Sequence, residues 1–207
     1  MTAPLVVFGA GGHGKVVADI LLTGGLTIAG FVDDMRIAGE VVFGLPVLGA
    51  ACWFEENEAR VALGIGDNAK RAAIGELIAS TKCTLVAAIH PRAVVAASAR
   101  VEPGAAVMAL AVINPDAIIE QGAIVNTAAI VEHDCVVGAY AHVSPNSTMG
   151  GGCTVGRLAQ LGIGATMLPG TSVGNRTIVG GGALVTRDVP AGVVASGVPA
   201  RVRRPVA

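Results

Sequence analysis

Between Ile89 and Pro190 the apolar positions of this chain recur every six residues without a slip. The first position of each hexad, from Ile89, Val95 and Val101 through Val131 and Val137 to Val179 and Val185, is aliphatic in all seventeen cases. Four residues later stands a small or β-branched residue, from Ala93 and Ala99 through Cys135, Ser147 and Thr171 to Ala183 and Val189. A helix would repeat its apolar face about every 3.6 residues and a lone strand every two. A period of six instead predicts a solenoid in which each hexad lays down one short strand of a flat face. Three hexads make an 18-residue triangular coil, so these 102 residues span between five and six coils. Such coils stack about 4.8 Å apart. The aliphatic and the small residue of each hexad both point inward, because a narrow prism has no room for two bulky groups per face.

The first 88 residues carry another pattern. Leu5–Phe8 is a short apolar run, followed by Gly9-Ala10-Gly11-Gly12-His13-Gly14-Lys15 and a helical stretch over Val16–Leu22. Strands are predicted at Thr27–Val32, Val61–Ile65 and Thr84–Ile89, with a helix over Asn68–Ser80. Alternating strands and helices predict a small parallel α/β sheet. The expected boundary lies at His90-Pro91, giving an N-terminal domain of residues 1–88 and a solenoid domain of 89–207.

Composition adds exclusions. Apolar residues make up 53% of the 207, yet aromatics only 3%, which suits a prism filled with Ala, Val and Ile. No uninterrupted apolar run approaches the roughly 18 residues of a membrane span. Met1-Thr2-Ala3-Pro4 lacks a basic segment leading into an apolar one, so no secretory signal is expected and the cytoplasm is the default location. A net charge of −1 gives no case for nucleic acid or an acidic membrane as partner. Cys52, Cys83, Cys135 and Cys153 form no metal-like pairs. Cys135 and Cys153 lie 18 apart, one above the other in the solenoid, as reduced core residues.

The loop Gly9-x-Gly11-x-x-Gly14 follows a strand, and acidic residues stand about 20 positions on, at Asp33 and Asp34. This formally matches a dinucleotide fingerprint. Gly11 and Gly12 let the backbone approach a diphosphate, the helix N-terminus offers unpaired N–H groups to the anion, and the aspartates can accept from ribose or base. A half-sized domain with no second mononucleotide unit fits a nucleotide diphosphate attached to something else better than NAD. An NAD-binding module on an inert solenoid stays as an alternative.

The segments GAGGHGK, FVDD, LGIGDNAKR, VNTAAIVEHDCVVGAYAHVSP and ASGVPARVRR, in this order, resemble one family over essentially the whole chain. It is the hexapeptide-repeat sugar acyltransferases: the UDP-4-amino-sugar and GDP-perosamine N-acetyltransferases and the sialic acid O-acetyltransferases. The resemblance implies a Rossmann-like N-terminal domain followed by a left-handed parallel β-helix. The handedness comes from the resemblance, since parallel crossovers are otherwise right-handed. It also implies acetyl-CoA as co-substrate, a nucleotide-linked 4-amino sugar as acceptor, and a homotrimer with active sites between subunits.

Acetyl transfer to an amine needs a base and a donor for the oxyanion that develops on the thioester carbonyl. Imidazole titrates near neutrality, and the chain has four: His13, His90, His133 and His142. His133, third in its hexad between Glu132 and Asp134, projects outward. The resemblance makes His133 the catalytic base and Asp134 its partner. Gly151 lies one coil above His133 in the run Gly150-Gly151-Gly152, and its bare N–H is the oxyanion candidate. His142 is nine residues, half a coil, from His133 and lies on another face, so it meets the ligands only at a subunit contact. By resemblance His142, Ile163 and Gly181 contact the coenzyme, and His13 and Asn126 the substrate. Arg201, Arg203 and Arg204 form a basic tail suited to the coenzyme's phosphates. Transfer to a sialic acid hydroxyl is the alternative within this chemistry. A zinc hydratase is the rival outside it, but His90 stands too far from His133 and His142 along the axis to complete three ligands, and no metal is expected.

Overall fold

The computed structural model describes residues 3–206, so Met1, Thr2 and Ala207 lie outside the described residues, and with them part of the segment read for a signal peptide. The N-terminal sheet comprises β1 (Leu5–Phe8), β2 (Gly30–Val32), β3 (Val41–Val42), β4 (Leu45–Gly49), β5 (Arg60–Leu63) and β6 (Thr84–Leu85) in the order β3-β4-β2-β1-β5-β6. All pairings are parallel except the β3–β4 hairpin. Helices α1 (Gly12–Thr23), α2 (Trp53–Glu56) and α3 (Asn68–Ala79) connect them. β1 is buried at every position, as a central parallel strand requires.

Three elements depart from the sequence reading. Helix α1 begins at Gly12, inside the glycine run, because a Cβ at Gly14 would strike the Gly9 carbonyl and only glycine lets the helix seat so close to the strand end. The predicted strand Thr84–Ile89 divides in two: Thr84–Leu85 pairs with β5, whereas Ala88–Ile89 pairs with Ala106–Val107 of the solenoid. The hairpin Val41–Gly49, which turns through Phe43 and Gly44 in the left-handed region, was not anticipated.

From Ala88 onward seventeen two-residue strands stack in parallel at intervals of 18 residues, as in Ala106↔Ile124 and Ile124↔His142, forming the three faces of a left-handed β-helix. Face one holds Ala106–Val107, Ile124–Val125, His142–Val143, Gln160–Leu161 and Ile178–Val179. Face two includes Val112–Ile113, Ile130–Val131 and Thr148–Met149, and face three Ile118–Ile119 and Val136–Val137. The inward pair of each hexad is observed, with Val107, Ala111, Ile113, Ala117, Ile119 and Ala123 all inaccessible in one continuous core. Every sixth residue from Gly104 to Gly182 takes positive φ, glycine at some corners and Asp116, Asp134, Tyr140 or Asn146 at others. This left-handed residue turns the chain at each corner of the prism.

The N-terminal domain lies on face one. Val17, Ile20 and Leu21 of α1 share a core with Ala88, Ala106, Met108 and Ile124 of the solenoid. The C-terminal basic tail is no free arm. Arg201–Pro205 forms an antiparallel strand on Val193–Ser196, with the Arg203 guanidinium donating to Ser196 Oγ and O. No helix among the described residues is long and apolar enough to cross a membrane.

Candidate active site

Strand Ile130–Val131 of face two ends at the corner Glu132-His133-Asp134-Cys135, which leads to Val136–Val137 of face three. Asp134 occupies the left-handed position (φ 58°), a conformation that aspartate tolerates better than most residues, and its N–H donates to Pro115 O one coil below. From there its carboxylate reaches back, and His133 Nδ1–H donates to Asp134 Oδ2 at 2.7 Å. The hydrogen bond to Asp134 is the main cause that raises the His133 pKa. Both side chains are more than 60% exposed, so the pair contributes little to stability, and its value lies in orientation. With Nδ1 engaged, Nε2 faces outward as the basic atom. Glu132 turns aside to accept from Asn114 Nδ2 at 2.9 Å.

Gly151 sits directly over this imidazole. A Cβ there would come within 2.5 Å of His133 Nε2. Its N–H has no hydrogen-bond partner among the described residues, whereas Gly152 N–H is tied to His133 O and Gly151 O accepts Gly170 N–H. A base and an unpaired N–H donor therefore stand side by side at the corner between faces two and three. Asp134→Asn removes the charge that raises the imidazole pKa. With His133 as the proposed base, the acid limb of kcat/KM is expected to move to lower pH and the plateau to fall, as a pH–rate series would record.

A second concavity, about 560 Å³, opens at the end of the N-terminal sheet, lined by Gly11, Gly12, His13, Asp33, Asp34 and Lys70 among others. Helix α1 starts here with no side-chain cap and no acidic residue in its first turn, which suits a diphosphate. Both oxygens of Asp33 serve the loops: Oδ2 accepts Ala10 N–H at 2.6 Å and Oδ1 accepts Met35 N–H at 2.8 Å. Asp34 Oδ1 accepts Ala51 N–H at 2.7 Å. The aspartates thus shape the cavity as well as line it. His13 Nε2 is buried without a partner, and burial, aided by Arg71, depresses its pKa to about 4.

Residues 4–78 match the PglD N-terminal domain family. The whole chain is similar to a mutant of perosamine N-acetyltransferase from Caulobacter crescentus solved in complex with CoA and GDP-perosamine: 41% identity, 98% of each chain covered, TM-score 0.92. It is also similar to the acetyltransferase domain of PglB from Neisseria gonorrhoeae FA1090 in complex with acetyl coenzyme A: 36% identity, 98% of this chain and 100% of that one, TM-score 0.90. No curated protein sequence matches the chain. The chain belongs to the hexapeptide-repeat sugar N-acetyltransferases. It is an acetyl-CoA-dependent enzyme acting on a nucleotide-linked amino sugar.

In this N-acetyltransferase the remaining predicted site residues divide between two places. His142 lies in a face-one strand, with Nε2 2.9 Å from Asn126 Nδ2. Burial, then the charges of Arg71 and His13, lower its pKa to about 3. His142 is therefore within electrostatic range of its own chain's glycine-loop histidine, a proximity that spacing alone did not suggest. Ile163, 65% exposed, and Gly181, whose Cβ would meet Ile163 O, stack on the corner between faces one and two. Across the prism from face one lies the corner of His133, Asp134 and Gly151. The solenoid histidines are dispersed within the chain, His90 accepting Arg92 N–H in the first coil.

Sequence reasoning missed Arg71. Its guanidinium is fully buried and donates to Ile65 O and Gly66 O beside the glycine loop, to Asn68 Oδ1, and to Gly122 O and Tyr140 O of the solenoid. It ties the glycine-loop cavity to the β-helix by carbonyls alone, and burial lowers its pKa to about 10. The available signal was an arginine one turn after the helix-capping Asp67 on a face otherwise occupied by Ala72, Gly75 and Ile78.

Proposed function

We propose that this N-acetyltransferase acetylates the 4-amino group of its nucleotide-linked sugar, with active sites shared between subunits of a homotrimer. Residues 1–88 act as the nucleotide-sugar domain and residues 89–207 as the acyltransferase domain, in a cytoplasmic enzyme. Gly11, Gly12 and His13 hold the diphosphate and the sugar, Asp33 and Asp34 the nucleoside, and Asn126 the acceptor. His142, Ile163 and Gly181 lie along acetyl-CoA. The observation that carries the reading is the His133–Asp134 pair, with its open Nε2 set against the unpaired Gly151 N–H.

The amine lone pair attacks the thioester carbonyl directly. Negative charge gathers on the carbonyl oxygen, where the Gly151 N–H donates to it. His133 Nε2 takes the proton leaving the amine, and the resulting imidazolium is stabilised by Asp134. Collapse of the tetrahedral intermediate breaks the carbon–sulfur bond and releases the thiol of CoA, which regains a proton, and no covalent enzyme intermediate forms. His13 and His142, with pKa values of about 4 and 3, are neutral at working pH and too weakly basic for this step.

A glycine-loop cavity over face one and a base at the opposite corner favour pairing the sugar of one chain with the base of its neighbour. Mixed trimers test this. His133→Ala chains keep the loop, and Gly11→Trp chains keep the base, since Gly11 has open space for a side chain that would fill the cavity. Each alone should release no thiol from acetyl-CoA with a panel of UDP-, dTDP- and GDP-linked 4-amino sugars. Mixed and reassembled, about a quarter of the sites in random trimers should work. Silence in the mixture sinks the shared site. Turnover of sialic acids alone sinks the amino-sugar acceptor.

A further inference from the structure

The two coils that carry His133 and Gly151 turn their corners differently from the rest. At fourteen corners between Ala93 and Ala183 the N–H of the fifth hexad residue donates to the carbonyl of the second, at 2.9 to 3.3 Å, as in Ala129 to Asn126 or Ala165 to Gly162. Among the described residues that bond is missing at two corners, Glu132–Cys135 and Gly150–Cys153. These are the corners of the base and of the oxyanion donor. In the upper one the Cys135 thiol, rising from the coil below, takes both ends of the missing bond. Sγ accepts Cys153 N–H at 3.3 Å and donates to Gly150 O at 3.1 Å. Two legs through sulfur span a wider gap than one direct N–H···O contact, so the corner is held open. The bridge needs the protonated thiol, because a thiolate accepts but cannot donate, and burial pushes the Cys135 pKa up to about 11.

We propose that Cys135 is a positioning residue for acetyl transfer, its thiol bridging the Gly150–Cys153 turn so that the Gly151 N–H is presented to the thioester oxygen beside His133. This role rests on the oxyanion function given to Gly151 above. Alanine is the commonest residue at the fifth position of the other coils, so Cys135→Ala should fold and let Cys153 N–H bond Gly150 O directly. The turn then closes and the Gly151 N–H shifts.

Kinetics and a crystal structure of the full-length variant test this together. Losing one oxyanion donor outright costs about 100- to 1000-fold in rate, so displacing it should cost about tenfold or more in kcat. KM for acetyl-CoA and for the nucleotide sugar should stay within about twofold. Cys135→Ser, which still donates and accepts, should recover most of kcat. Ser147→Ala, which deletes another core hydroxyl bonded to Ser144 O, should lower Tm without a selective loss of kcat. Wild-type kcat in Cys135→Ala with an unmoved turn overturns the bridge itself. A closed turn with wild-type kcat overturns the role of the Gly151 N–H. A kcat loss that serine does not rescue, or that Ser147→Ala reproduces, reduces Cys135 to a packing residue.

Discussion

Alanine at His133 is expected to lower kcat by about a thousandfold while leaving nucleotide-sugar affinity near that of the parent enzyme. General-base catalysis contributes about 100- to 10,000-fold. The upper half of that range applies because no other group stands ready. Glu132, next in the chain, is engaged by Asn114. His13 and His142 have pKa values lowered to about 4 and 3 by burial and by the nearby Arg71 charge, whereas Asp134 raises that of His133. Affinity is spared because the glycine-loop cavity is lined by residues of the N-terminal domain alone, and His133 is not one of them. Thiol-release kinetics beside calorimetric titration of the nucleotide sugar read both quantities. A kcat within tenfold of the parent removes His133 as the base. A matched loss of sugar binding would instead make it a binding residue.

The solenoid and the stacking at its His133 corner were legible in the sequence because a period of 18 residues converts chain position into spatial position, whereas the roles proposed for that corner came from the resemblance. Seventeen aliphatic positions set the register, and the register alone stacks Gly151 over His133 and Cys153 over Cys135. The strand–loop–helix around Gly9–Gly14 was legible through close packing that excludes a Cβ. What escaped depends on contacts between segments of no fixed spacing. Arg71 meets Gly122 and Tyr140 across the domain junction, 51 and 69 residues away. The second part that Asp33 and Asp34 play, accepting the Ala10, Met35 and Ala51 N–H groups, was hidden because a carboxylate's backbone partners cannot be read from its neighbours in the chain. The run Thr84–Ile89 looked like one strand, since apolar residues that switch from one sheet to another keep the same pattern.

The stacking of Gly151 on His133 makes Gly151→Ala the sharpest test of the corner's geometry. Gly151 does not take positive φ, so alanine fits its backbone without strain, and the N–H proposed to meet the oxyanion is retained. What changes is one methyl group, placed 2.5 Å from His133 Nε2 and 2.6 Å from Cε1. Those distances are far inside van der Waals contact, and the imidazole, 62% exposed, is the group free to yield. Swinging outward costs the fold little, and the free energy of unfolding should change by no more than a surface substitution produces, within about 0.5 kcal/mol. Catalysis should suffer far more. The ring leaves the position that Asp134 sets for it, and the methyl occupies the space between base and thioester. A misplacement of about 1 Å costs on the order of a hundredfold in rate, so kcat should fall at least that much with KM nearly unchanged. Because the N–H donor survives, this loss measures the position of the base, whereas His133→Ala measures its presence. The two variants combined should be little worse than His133→Ala alone, since a methyl group cannot displace a ring that is gone. A double variant that instead loses the full product of both effects would assign Gly151 a role independent of His133.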